Sequence, residues 1–171
     1  MGTKVLDFNQ YQKIPKFIAV EGPIGVGKTT LTKLLAESFG YNTFLEKPSE
    51  NPFLADFYEN PSQAALGAQL FFLFQRVKQI QEIKQGDIFT PTRVSDFLLD
   101  KDKLFAKATL SDQELKLYEQ IYDYLSLDLP TPDLVVYLQA ETKTLHQRVM
   151  HRGIEMEKSI SYDYLELLNE S

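Results

Sequence analysis

The sequence predicts an α/β protein of three layers, with a parallel sheet between two layers of helices. Two observations carry that expectation. Short, partly β-branched apolar runs alternate along the chain with longer segments of three- and four-residue apolar spacing. The first of these runs passes through a cluster of glycines directly into the first helical segment. The 171 residues fit one domain with enough material for a sizeable core, expected over 16–171 behind a polar tail at 1–15.

In order, Phe17-Ile18-Ala19-Val20, stopped by Gly22-Pro23, has the pattern of a buried parallel strand. The helix after it runs from Thr29 to Phe39 on Leu31, Leu34, Leu35 and Phe39, and Gly40 ends it. A second strand covers Asn42 to Leu45 and leads into Glu46 and the breaker cluster from Pro48 to Pro52. A long helix is predicted from Ala64 to Lys84, where Leu70, Leu73, Phe74, Val77 and Ile80 recur at helical steps, with Gly86 closing it. Residues 87–95 suit a third strand, and Pro91 favours an edge or a strand end. Ser111 and Glu114 form a capping box ahead of a helix reaching Leu125. Leu134 to Leu138 is the clearest buried strand in the chain. A helix from Thr142, a polar bend near Gly153 and a short helix from Ser161 complete the domain.

Composition narrows the function classes. Eighteen basic against 24 acidic side chains leave a net charge of −6, which argues against a polyanion or an anionic membrane as partner. There is no cysteine, so disulfides and thiolate metal sites are excluded, and His146 and His151 are badly placed for zinc. No apolar run is long enough to span a bilayer, and no signal core opens the chain, so a cytoplasmic protein is expected.

The chemistry begins at Gly22-Pro23-Ile24-Gly25-Val26-Gly27-Lys28-Thr29, followed by Thr30, a P-loop pattern placed between a strand and a helix. Its glycines let backbone N–H groups approach phosphate oxygens without a Cβ in the way. The helix start adds its positive end. Lys28 can reach the β- and γ-phosphates, and the Thr29 hydroxyl can ligate Mg²⁺. ATP and Mg²⁺ are therefore the expected cofactors. GTPase specificity normally needs Asn-Lys-x-Asp, which this sequence lacks.

Beyond the loop, the run FIAVEGPIGVGKTTL, with Glu46 just past the second strand, resembles the deoxynucleoside kinase family. Tyr58, Gln69 and Arg76 follow at that family's substrate-pocket spacing, PDLVVYLQA resembles its fourth strand, and QRVMHRGIEMEKSISYDYLELLNE resembles its arginine-bearing lid. The similarity covers roughly 16–170. It implies a P-loop kinase fold and transfer of the γ-phosphate to the 5′-hydroxyl of a deoxynucleoside. Glu46 would be the general base, with Lys28 and the lid residues Arg148 and Arg152 acting on the phosphates. Gln69 would recognise the base, Arg76 would orient acidic pocket groups or the substrate, and Tyr58 and Glu157 would hold the sugar 3′-hydroxyl. One of Phe71, Phe72 and Phe74 would stack on the base. Each position also admits a plainly structural role, as a cap, a packing amide or a solvated helix end. The resemblance implies a homodimer too, consistent with a helix at Ala64 to Lys84 too apolar to leave uncovered.

Two departures stand out. An acidic-Arg-Ser element normally ends the third strand, whereas this chain reads Thr92-Arg93-Val94-Ser95-Asp96-Phe97. Some bacterial purine deoxynucleoside kinases have a similar Ser-Asp-aromatic run, so Asp96 is assigned the metal-side role by a shift of one position and a purine substrate is favoured. Arg93, two residues before Ser95 on the same strand face, is a candidate substrate residue. Ile154 occupies the place of a third lid arginine, and the usual base-reading carboxylate falls near Lys101 or Asp102. The sequence also stops at Ser171 without the family's next strand, which is expected to leave one sheet edge exposed. The alternatives are a thymidylate-type nucleoside monophosphate kinase and a nucleotide-binding module with impaired catalysis.

Overall fold

The computed structural model describes residues 14–85, 91–126 and 128–170, apart from the side chain of Met156. Four parallel strands form one sheet among them: β1 (Phe17–Glu21), β2 (Asn42–Phe44), β3 (Arg93–Ser95) and β4 (Leu134–Tyr137), in the order β2-β3-β1-β4. The helices are α1 (Lys28–Phe39), α2 (Leu54–Glu59), α3 (Pro61–Lys84), α4 (Asp102–Thr109), α5 (Asp112–Ser126), α6 (Thr142–Arg152) and α7 (Tyr162–Glu170).

Burial follows strand position. β1 is central and all five of its residues are buried. Ile18, Val20 and Val94 on one sheet face pack against Leu31 and Leu35 of α1. Phe44 leans instead into the cluster of Leu73, Val77, Ile80, Phe97, Tyr118 and Tyr122, built mainly by α3 and α5. Those two clusters are the outer interfaces of the three layers.

Several expectations need correction. β4 is an edge strand, as β2 is at the other side, with Val135 and Tyr137 exposed, although its sequence is the most continuously apolar of the four. Apolar content measures a strand's fitness for burial, whereas its place in the sheet is decided by pairing. β3, conversely, lies between β2 and β1, so of the two positions expected for Pro91 the structure shows the strand end, just before Arg93, and not the edge. The proposed residues 87–90 of that strand, together with Gly86 and the tail 1–13, lie outside the described residues. α3 begins earlier than expected, with Pro61 in its first turn, where a missing N–H costs nothing. The short helices α2 and α4 were not among the expected elements. The capping box is half formed: Glu114 accepts from both the backbone N–H (3.0 Å) and the hydroxyl (2.7 Å) of Ser111.

Candidate active site

The sheet delivers its chemistry at the C-terminal ends of its strands. Gly22 follows β1, Glu46 lies two residues past β2, and Asp96 comes directly after β3. In open parallel sheets this edge is where ligands bind. One cavity opens here, with Lys28, Thr29, Glu46, Asp96, Tyr58 and Glu157 in its wall. Gln69, Arg76, Phe72 and Arg152 also line it.

The phosphate loop has the backbone its glycines permit. Gly22, Gly25 and Gly27 have φ of 149°, 83° and 107°. At Gly22 a Cβ would lie 2.4 Å from the Leu138 carbonyl oxygen, so no side chain fits. Backbone strain of this kind costs on the order of 1–3 kcal/mol. Gly22→Ala is therefore expected to weaken ATP binding by roughly tenfold or more, measured by titration calorimetry. Lys28 folds back across the loop, its Nζ donating to the carbonyls of Gly22 (2.8 Å) and Pro23 (3.3 Å). Burial pushes its ammonium below the usual lysine range, opposed by Glu21 and Glu46 and reinforced by Lys101. Thr30 points to solvent.

Thr29 and Asp96 meet. The Thr29 hydroxyl donates to Asp96 Oδ2 at 2.5 Å, and Asp96 Oδ1 accepts from the Glu46 N–H at 2.8 Å. Asp96 is buried, and burial raises its pKa against those two hydrogen bonds. The Glu46 side chain turns to Arg76, whose Nε donates to Glu46 Oε1 at 2.6 Å. The same guanidinium pairs with the fully buried Asp102. Of the two positions left open for a pocket carboxylate, Asp102 thus faces Arg76, while Lys101 pairs with Glu21.

At the far end, Glu157 is buried and accepts from Arg152 Nη2 at 2.5 Å. Tyr58 lines the wall nearby, and burial, then Tyr164 and Glu157, push its phenol well above the ordinary range, so it stays a hydrogen-bond donor. Gln69 is buried, and its Nε2 donates to the Thr109 hydroxyl at 3.3 Å. That hydroxyl donates in turn to the Phe105 carbonyl (2.7 Å), so Thr109 can only accept from the amide.

Two sequence-derived placements differ. Arg93 sits at the N-terminal end of β3 and is absent from the cavity wall, because the functional edge is the opposite end of the strand. Arg148 lies behind the loop, its Nη1 donating to the Val26 carbonyl at 3.1 Å, and Arg152 engages Glu157. Of the three phenylalanines, Phe72 lines the cavity, beneath the Arg76 guanidinium at 5.2 Å, and Phe74 is exposed. Sequence reasoning missed Glu21, Lys101, Phe105 and Tyr164, all cavity residues. Glu21 had the one available signal, a carboxylate inside an apolar strand.

A family model described as Deoxynucleoside kinase matches residues 18–171. The chain belongs to this family. Deoxynucleoside kinases are phosphotransferases, and so is this chain. It is 40% identical over 157 residues to deoxyguanosine kinase of Bacillus subtilis (strain 168), covering 89% of this chain and 74% of that protein. It is 34% identical over 163 residues to the deoxyadenosine/deoxycytidine kinase of the same organism, covering 90% and 74%. Among solved structures, deoxyadenosine kinase from M. mycoides with bound dATP superposes with a TM-score of 0.79 at 28% identity, over 91% of this chain and 80% of that one. The same enzyme with the products dCMP and a flexible dCDP gives 0.80 at 28%, over 90% and 80%. The three-layer architecture is the P-loop kinase fold of these deoxynucleoside kinases. No described helix is long and apolar enough to cross a membrane.

Proposed function

We propose that this kinase transfers the γ-phosphate of ATP to the 5′-hydroxyl of a deoxynucleoside, purines preferred, with Glu46 as general base. One observation supports this most: the Glu46 carboxylate shares the cavity wall with Lys28, Thr29, Asp96, Tyr58 and Glu157, and lies close enough to act electrostatically on both Lys28 and Tyr58. A neutral hydroxyl acceptor suits a carboxylate there, whereas an acceptor phosphate would be repelled by it. The residues take distinct roles. Gly22 to Thr30 wrap the triphosphate with backbone N–H groups, and Lys28 neutralises it. Tyr58 donates to the sugar 3′-hydroxyl and Glu157 accepts from it. Gln69, its amine fixed towards Thr109, turns its carbonyl and second N–H to the base.

The Thr29 hydroxyl and Asp96 carboxylate are hard oxygen donors held together, a pair that fits Mg²⁺. That ion would neutralise phosphate charge when bound. Arg148 and Arg152 are the lid cations, and Arg152 must leave Glu157 to reach the phosphates. Purine preference draws on the relatives named for deoxyguanosine and deoxyadenosine. A homodimer belongs to the same proposal, since Phe74 on α3 remains 52% exposed. A monomeric mass by light scattering would contradict it.

The test incubates the protein with Mg·ATP and each deoxynucleoside or deoxynucleoside monophosphate, and follows ADP. Turnover is expected with deoxyguanosine or deoxyadenosine. Turnover with monophosphates alone would replace this reading by a monophosphate kinase, and ATP binding without any turnover by a non-catalytic module.

A further inference from the structure

Four cationic side chains line the cavity among the described residues: Lys28, Arg76, Lys101 and Arg152. Arg76 is committed to Glu46 and Asp102, and Arg152 to Glu157. Lys28 has its assignment in the phosphate loop. Lys101 has none. It comes from the turn Leu99–Lys101, and its ammonium reaches over the ends of β1 and β4, 3.1 Å from Glu21 Oε1. Its position is built: the side chain is only 11% exposed, with Nζ 5.7 Å from the Phe105 ring centroid and 5.6 Å from that of Tyr137.

Neutralising Glu21 does not exhaust this ammonium. Glu21 is already anchored by two backbone donors, the N–H of Gly22 at 2.7 Å and that of Leu98 at 2.9 Å. A lysine ammonium has three N–H donors, and Glu21 is the one acceptor for Lys101 among the described residues. Two donors are left on a largely enclosed cation lining the cavity. Lys101 lies near enough to repel the ammonium of Lys28, with Glu21 acting on both, so the two cations address the same cavity from different elements, the turn before α4 and the first turn of α1.

We propose that Lys101 is a further catalytic residue, holding the phosphoryl group from the acceptor side while Lys28 holds it from the donor side. The proposal rests on the kinase reading above. In the transfer, the bond from the γ-phosphorus to the β,γ-bridging oxygen breaks and a bond to the 5′-oxygen forms. The hydroxyl proton passes to Glu46. Lys101 makes no covalent bond; its free N–H groups donate to non-bridging oxygens of the migrating group, over which its negative charge is spread in the transition state. After transfer it remains bound to the product's 5′-phosphate.

Lys101→Met is the test, with Lys101→Arg beside it. The expected result is a fall in kcat of about 10²–10³-fold, the usual effect of deleting one such donor, with deoxynucleoside affinity unchanged. Affinity for the deoxynucleoside 5′-monophosphate should fall about tenfold or more, as for a lost charge-assisted hydrogen bond. Lys101→Arg should recover part of both. A merely structural Lys101 would leave the ratio of monophosphate to nucleoside affinity unmoved, and that result would overturn the proposal. Glu21→Gln/Lys101→Met removes the stranded carboxylate and keeps the question answerable if the single variant misfolds. A double variant with restored kcat would show that Lys101 only balances Glu21; a double variant as slow as the single one supports the assignment. Wild-type protein that phosphorylates no deoxynucleoside would overturn the kinase reading itself, whereas active wild type with fully active Lys101→Met would overturn Lys101 alone.

Discussion

Glu46→Gln is expected to reduce kcat by about 10²–10⁴-fold, the range for loss of a positioned general base. The amide keeps the length and much of the hydrogen bonding of the carboxylate, so Arg76 and the backbone contact to Asp96 should persist. What it lacks is the capacity to take a proton from the 5′-hydroxyl. ATP and deoxynucleoside affinities should therefore stay near wild type, and the loss should fall on the chemical step. Single-turnover ADP formation measures that step directly. A variant that turns over at the wild-type rate would remove Glu46 from the role of base and make it an anchor for Arg76.

Arg76→Met should be the most destabilising single change among the cavity residues. Its guanidinium is 12% exposed and serves Asp102, which has no exposure at all, together with Glu46 at 18%. Removing the cation strands a buried carboxylate in a site from which water is excluded, which costs about 3–5 kcal/mol. Urea denaturation of the wild type and variant reads the difference as a lower midpoint at equal slope. Arg76→Met/Asp102→Asn removes the stranded charge as well, and should recover a large part of the loss. A surface pair gives the contrast: Lys103–Asp123, with side chains 38% and 69% exposed, should contribute at most about 1 kcal/mol. If Arg76→Met costs no more than the surface pair does, the Arg76–Asp102 contact is solvated and cannot brace the pocket.

The legible part of the site was the part written locally. Gly22 to Thr29 are consecutive, and their backbone demands appear in the residue types themselves. Glu46, Tyr58, Gln69 and Arg76 were named by the resemblance of their order and spacing to the deoxynucleoside kinase family, and the fold brings all four to one cavity. Arg93 was misplaced because alternation tells which face a residue occupies but not which end of the strand carries the chemistry. Arg148 and Arg152 were correctly put on one helix, yet their partners, Val26 and Glu157, depend on where α6 packs. Lys101 and Asp102, adjacent in sequence, take different partners at the start of α4, a division that no periodicity contains.

The phosphate loop, the alternating α/β order and the family were thus determined by the sequence alone, since each rests on short-range chemistry: a glycine's allowed φ, an apolar period, a run of residues in fixed order. Tertiary structure alone decided which strands are the edges, which acids meet which cations, and that Asp96 reaches Thr29 across 67 positions of chain. The physical reason is that a buried charge is stable only beside a partner, and the partner is chosen by packing between elements distant in sequence.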